Sequence, residues 1–206
     1  LRYALEHPDV VLTLLAQHIW LVAVSLGIAS SIALPLGVAA VRLPRIRGPL
    51  LAVLGVLYTI PSLALFVLLI PWMGLGQLPA VTALVTYAQI ILVRNIVAGL
   101  LTVDPAVVEV ARGMGMSPWQ RLWRVEFPLA LPVMLAGLRI AVVAVIAIAA
   151  VAALINAGGL GVLLFQGVSQ GHRDKIVAGA LAVSLLAFAA NAAVRALEER
   201  AARPLR

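Results

Sequence analysis

Glu109, Arg112, Arg121, Arg124 and Glu126 crowd into one stretch of a strongly apolar chain, Glu109 to Pro132, EVARGMGMSPWQRLWRVEFPLALP. Carboxylates and guanidiniums spaced along a helical hairpin suit a contact with another macromolecule in water. The hairpin follows from local signals. Asp104-Pro105 is a helix start, because Asp caps and Pro fits the first turn. Glu109, Val110 and Ala111 continue that helix, Gly113 and Gly115 weaken it, and Ser117-Pro118 can cap a second one. In the second helix Trp119, Leu122, Trp123 and Phe127 fall at helical spacing, with Gln120, Arg121 and Arg124 on another face. Other chemistry is thinly represented. There is no cysteine and no G-x-x-x-x-G-K-[ST] loop, and His7, His18 and His172 show no metal-binding spacing with carboxylates.

The rest of the chain must position this hairpin. Of 206 residues, 64% are hydrophobic and 11% charged, too few polar groups to cover a soluble domain of this size. Several apolar runs reach the roughly 20 residues that cross a bilayer core. The fold class is therefore an all-α integral membrane protein. Residues 1–16 read as an interfacial segment with an apolar stripe. The transmembrane domain occupies 17–194, with spans over 17–41, 50–72, 80–101, 129–156 and 175–194. The polar interval 102–128 lies between the third and fourth spans, and a tail, 195–206, follows the last. The first apolar run is expected to be retained rather than cleaved, being long and followed by comparable runs.

Five spans place the termini on opposite sides. Arg42, Arg45, Arg47, the polar interval and the tail hold most of the arginines, while the other side keeps Arg2, Arg173 and Lys175. Positive charge marks cytoplasmic loops, so the N-terminus is expected outside and the C-terminus inside. The same distribution assigns the formal charge of +7 to topology and argues against nucleic acid as a partner.

Glu109, Ala111, Gly115 and the run Val125-Glu126-Phe127-Pro128 fall at the spacing E-x-A-x-x-x-G, nine further residues, then I-x-L-P. This resembles the EAA loop of bacterial ATP-binding-cassette importer permeases, with Val110, Val125 and Phe127 as mild apolar departures. His18-Ile19-Trp20-Leu21-Val22, Pro35-Leu36-Gly37, Ile60-Pro61-Ser62-Leu63-Ala64, Leu92-Val93-Arg94-Asn95, Val103-Asp104-Pro105 and Asn156-Ala157-Gly158-Gly159-Leu160-Gly161 are similar to the glycine betaine, choline and carnitine branch. The resemblance runs from about Gln17 to Val194. It implies a type I importer (MetI-like) permease fold with a cytoplasmic coupling-helix hairpin in a bacterial cytoplasmic membrane. It also implies docking of an ATPase subunit dimer through Glu109, Ala111, Gly115, Met116, Ser117, Pro118, Arg121 and Pro128. A binding protein would deliver quaternary-ammonium osmolytes to the outer face, and a second permease copy or paralogue would complete the pathway. No cofactor is expected on this chain, since ATP would be bound by the partner. It is expected to be a transporter subunit and not an enzyme.

Two rival readings are a permease for another small solute, such as methionine, and an ATP-independent secondary transporter. The latter predicts paired intramembrane acidic or basic groups for ion coupling, and no Asp or Glu lies deep in any span. A third is a scaffold whose hairpin lies on lipid.

Pathway or gate candidates carry two readings each. Arg94 and Asn95 form a gate contact or a snorkelling interface pair. Pro61 and Ser62 mark a hinge or a static kink. Asn156, Gly158 and Gly159 form an external gate loop or an ordinary helix end. Tyr58, Phe66, Trp72 and Tyr87 offer π-faces to a quaternary ammonium or simply pack. Glu198-Glu199-Arg200 reads as a solvated helix face.

Overall fold

The computed structural model describes residues 2–202; Leu1 and the last four residues, including Arg203 and Arg206, lie outside the described residues. The described chain is almost entirely helical. The first helices are α1 (Arg2–Glu6), α2 (Pro8–Arg42), α3 (Pro44–Thr59), α4 (Ser62–Met73) and α5 (Gln77–Leu101). The hairpin helices α6 (Pro105–Gly113) and α7 (Pro118–Arg121) follow, then α8 (Phe127–Val151), α9 (Gly161–Ser169) and α10 (Arg173–Ala202).

Proline sets several of the boundaries. Pro8 opens α2, which then runs unbroken for 35 residues. No break marks the expected join between an interfacial segment and span one at 16 and 17. Pro44 stops α2 at Arg42 and starts α3 one residue later, since the residue before proline avoids the helical region. Pro61 acts the same way on Ile60, whose ψ of 128° is extended. The expected kink in span two is thus a complete break, and α3 and α4 meet at 94°. Ile60 would leave a carbonyl without a helical partner there, and the Tyr87 hydroxyl donates to it at 2.5 Å.

Among the described residues, four helical stretches are long and apolar enough to cross a membrane, and a fifth crossing results if the bent α3–α4 pair is one span. Two contacts decide that it is. Arg42, at the end of α2, bonds Glu126 near the start of α8, and the Gly76 amide bonds the Ile155 carbonyl beyond its far end. The chain between 43 and 75 therefore travels the length of α8.

The core is built on α5, packed between α2 and α8. Gln89 donates to the Ala29 carbonyl and Ile96 lies on Gly37, so α2 and α5 run in the same direction. Gly99 lies on Ala130 and Asn95 on Gly137, so α8 runs against them. A Cβ at Gly37 or Gly137 would overlap Ile96 or Asn95. Small residues at crossings let helices approach closely where water supplies no driving force. Helix α10 packs outside α8, and α3 and α4 pack against α5; all three leave most of their surface uncovered.

Candidate coupling surface

Both hairpin helices are capped as their sequence dictates. The Asp104 carboxylate accepts from the Ala106 amide at 2.8 Å, and Pro105 fills the first turn of α6. Ser117 and Gln120 form a reciprocal capping box at α7, with bonds of 3.3 and 2.9 Å. Between them Gly115 takes a φ of +78°, a left-handed value that suits glycine. The Met116 amide bonds the Ala111 carbonyl to close the bend.

Val107 and Val110 on α6 and Met114 at its C-terminal cap sit three and four apart and all are exposed, Met114 by 70%. Trp119, on α7, is 68% exposed and stacks edge-on against Trp123, whose ring lies 5.0 Å from that of Phe127. Apolar side chains thus point away from the body of the protein, while Ala111 is buried beneath them. Glu109 and Arg112 pair at 3.1 Å on the surface. A surface of this composition suits burial against another protein.

The expected second helix does not end before span four. It passes through a π-helical turn, Leu122–Glu126, directly into α8, and the 38 residues Pro118–Ile155 form one apolar rod. Pro128 explains the wide turn. It has no N–H for the Arg124 carbonyl, and in a regular α-helix its ring would clash with that carbonyl. The Phe127 amide reaches back five residues, to Leu122. Arg121 is turned inward and pairs with Glu126 at 2.8 Å, with 9% and 7% of the two side chains exposed. Of the residues assigned to docking, Arg121 and Ala111 are buried. Glu109, Gly115, Ser117 and Pro118 remain exposed, Met116 is half-buried, and Pro128 shapes the turn.

At the other end of α8 a second constellation forms. His18 is fully buried. Its Nδ1 accepts from the Leu160 amide and its Nε2–H donates to the Ile146 carbonyl, both at 3.2 Å. The Gln17 side chain accepts from the Gly159 amide at 3.1 Å. Gln17 and His18 therefore tie the glycine loop to α2 and α8. Asn156, with φ of 63°, ends the 3₁₀ turn Ala152–Ile155 as an exposed left-handed cap. Truncating His18 to alanine strands the buried Leu160 amide, a loss of about 1–3 kcal/mol. The His18→Ala protein is expected to melt lower in detergent, and an unchanged melting temperature would contradict the latch.

Residues 12–203 match the family model described as "Binding-protein-dependent transport system inner membrane component". The chain belongs to this family. The permease is 44% identical over 193 residues to "Osmoprotectant import permease protein OsmW" of Salmonella typhimurium, covering 91% of this chain and 90% of that one. It is 42% identical over 186 residues to "Carnitine transport permease protein OpuCB" of Listeria monocytogenes, covering 89% and 84%. Among solved structures, the MetNI methionine ABC transporter in an inward-facing conformation superposes with a TM-score of 0.78. It is 24% identical, over 93% of this chain and 97% of that one, a likeness of fold.

The permease has features that sequence reasoning passed over. His18 was one of three scattered histidines; only the fold brings it to Leu160. Arg139, midway along α8, pairs with Glu198 at 3.4 Å, so Glu198 belongs to a contact between α8 and α10 rather than to a solvated face. Glu199 does face out, paired with Arg195. Asn95 packs on Gly137, close in the chain to Arg139, so exposed Arg94 lies near the same level. The aromatic candidates separate: Phe66 is core, Trp72 is exposed, and Tyr58 meets Tyr87 edge-on at the break above Ser62.

Proposed function

We propose that this permease is the membrane subunit of an ATP-driven importer for quaternary-ammonium osmoprotectants such as glycine betaine, choline or carnitine. The observation that carries the coupling role is the hairpin. Val107, Val110, Met114 and Trp119 present an apolar patch around an open glycine bend, on rigid capped helices at one end of the bundle. An ATPase dimer docks there and binds the ATP. Arg42, Arg45, Arg47, Arg112 and Arg124 lie on loops and helices at that end, which supports a cytoplasmic hairpin, an external N-terminus and a cytoplasmic C-terminus. A binding protein loads substrate at the opposite face, beside the glycine loop. Helices α3, α4 and α10 keep broad apolar surfaces for lipid and for a second permease subunit, identical or paralogous. The substrate class rests on the printed functions of the relatives from Salmonella typhimurium and Listeria monocytogenes.

Uptake by the complete complex in proteoliposomes tests the reading. ATP-dependent uptake of at least one of glycine betaine, choline and carnitine is expected, without competition by methionine. Competition by methionine would favour an amino-acid permease. Uptake by the permease alone, with no ATPase, would return the secondary-transporter reading.

A further inference from the structure

Glu126 holds two arginines at once. Its Oε1 accepts from Arg121 Nε at 2.8 Å and its Oε2 from Arg42 at 2.9 Å. The two arginines belong to different parts of the molecule. Arg121 ends α7 in the hairpin, and Arg42 ends α2, the first span. The π-helical turn makes the triad possible. In an α-helix, side chains five residues apart point to different sides; the i to i+5 turn brings Arg121 and Glu126 onto one. The Arg42 end is braced as well: Arg47 Nε donates back to the Ala40 carbonyl at 3.1 Å and the Leu43 amide to that of Ala39 at 2.8 Å.

We infer that Glu126 is a positioning residue that clamps the docking hairpin to the end of the first span, so that hairpin movement is delivered to α2 as well as to α8. The inference rests on the docking role proposed above. Without the clamp the hairpin is joined to α8 through the π-helical turn and to α5 through the link 102–104, and the end of α2 could follow only indirectly, through its packing and bonds with those two helices. A carboxylate with an arginine on each oxygen resists both separation and rotation, since its geometry is fixed by two directed bonds. Burial of Glu126 and Arg121 shields the pair from screening by salt. The clamp therefore acts on direction of motion, and its loss should appear as slippage between ATP use and transport rather than as loss of docking.

Glu126→Gln strands the buried Arg121 guanidinium and endangers the fold. Arg42, with 36% of its side chain exposed, is the arm to cut. The full complex of permease, ATPase and binding protein is reconstituted with Arg42→Gln, with Arg42→Lys, and with Arg45→Gln as a loss of equal charge from the same loop. Solute moved per ATP hydrolysed and retention of the ATPase are measured together. For Arg42→Gln the ratio is expected to fall about fivefold or more, the low end of coupling between linked sites. The ATPase should be retained and hydrolysis undiminished. Arg42→Lys should recover part of the ratio and Arg45→Gln should match the unaltered protein. An unchanged ratio in Arg42→Gln, an equal fall in Arg45→Gln, or a joint loss of transport and ATPase retention in Arg42→Gln overturns the clamp without touching the proposed docking role of the hairpin. An unaltered permease that retains no ATPase overturns both.

Discussion

Gly161→Ala is expected to prevent this permease from reaching its folded state. A Cβ at Gly161 would overlap the Ala150 carbonyl oxygen and lie 2.7 Å from the carbonyl carbon. Both are backbone atoms of α8, so no rotamer change relieves the contact. Helix α9 would have to lift off α8, taking the buried Leu160 and Leu163 and the His18 bond with it. Overpacking against fixed backbone combined with a broken polar contact belongs to the class of changes costing about 4 kcal/mol or more. Gly27→Ala is the matched control, with nothing within 4 Å of its Cβ position. Gel filtration and thermal melting in detergent should show an aggregated or low-melting Gly161→Ala and a normal Gly27→Ala. A Gly161→Ala protein that melts like the unaltered one would mean that α9 does not lie where the structure has it.

Gly115→Asp should do the reverse, abolishing transport while sparing the fold. The site has open space around the Cβ position, so nothing within the permease is displaced. The left-handed φ costs a non-glycine residue about 1–2 kcal/mol, and aspartate is among those that tolerate it. What changes is the proposed docking surface, where a charge and a side chain enter beside exposed Met114. Glu109→Lys tests the same surface from the other side of the bend. Its pair with Arg112 is exposed, so its loss does little to stability. Both variants should insert and fold, with Gly115→Asp melting only several degrees lower, lose the ATPase on purification, and drop uptake to background. Normal transport in both would remove the hairpin from the coupling role.

Much of this arrangement was legible in the chain because its causes are local. Asp104-Pro105 and Ser117-Pro118 cap helices through neighbours within three residues, and the structure has both caps in place. The apolar runs gave the spans for the same reason. Contacts between distant segments were not legible. Arg121 reads as an exposed residue beside Arg124 when α-helical spacing is assumed, and only the π-helical turn imposed at Pro128 turns it onto Glu126. His18 and Leu160 are separated by 142 positions, so no periodicity links them. Pro61 announced a disturbance in span two, but neither its 94° size nor the Tyr87 hydroxyl, from another span, that donates to the open Ile60 carbonyl is written in the local sequence.

The rod from Pro118 to Ile155 has a mechanical consequence. At about 1.5 Å per residue it is about 57 Å long, enough to show one end on each side of a bilayer. Near its midpoint Gly137 is seated on Asn95 with no room for a side chain between them. The same helix is also seated on Gly99 at Ala130, held by His18 at Ile146 and pressed by Gly161 at Ala150. A load entering at Pro118 would therefore meet the neighbouring helices all along its length before it reached Ile155 and the Gly76 turn bonded to it. The hairpin at one end and the glycine loop at the other share one backbone element.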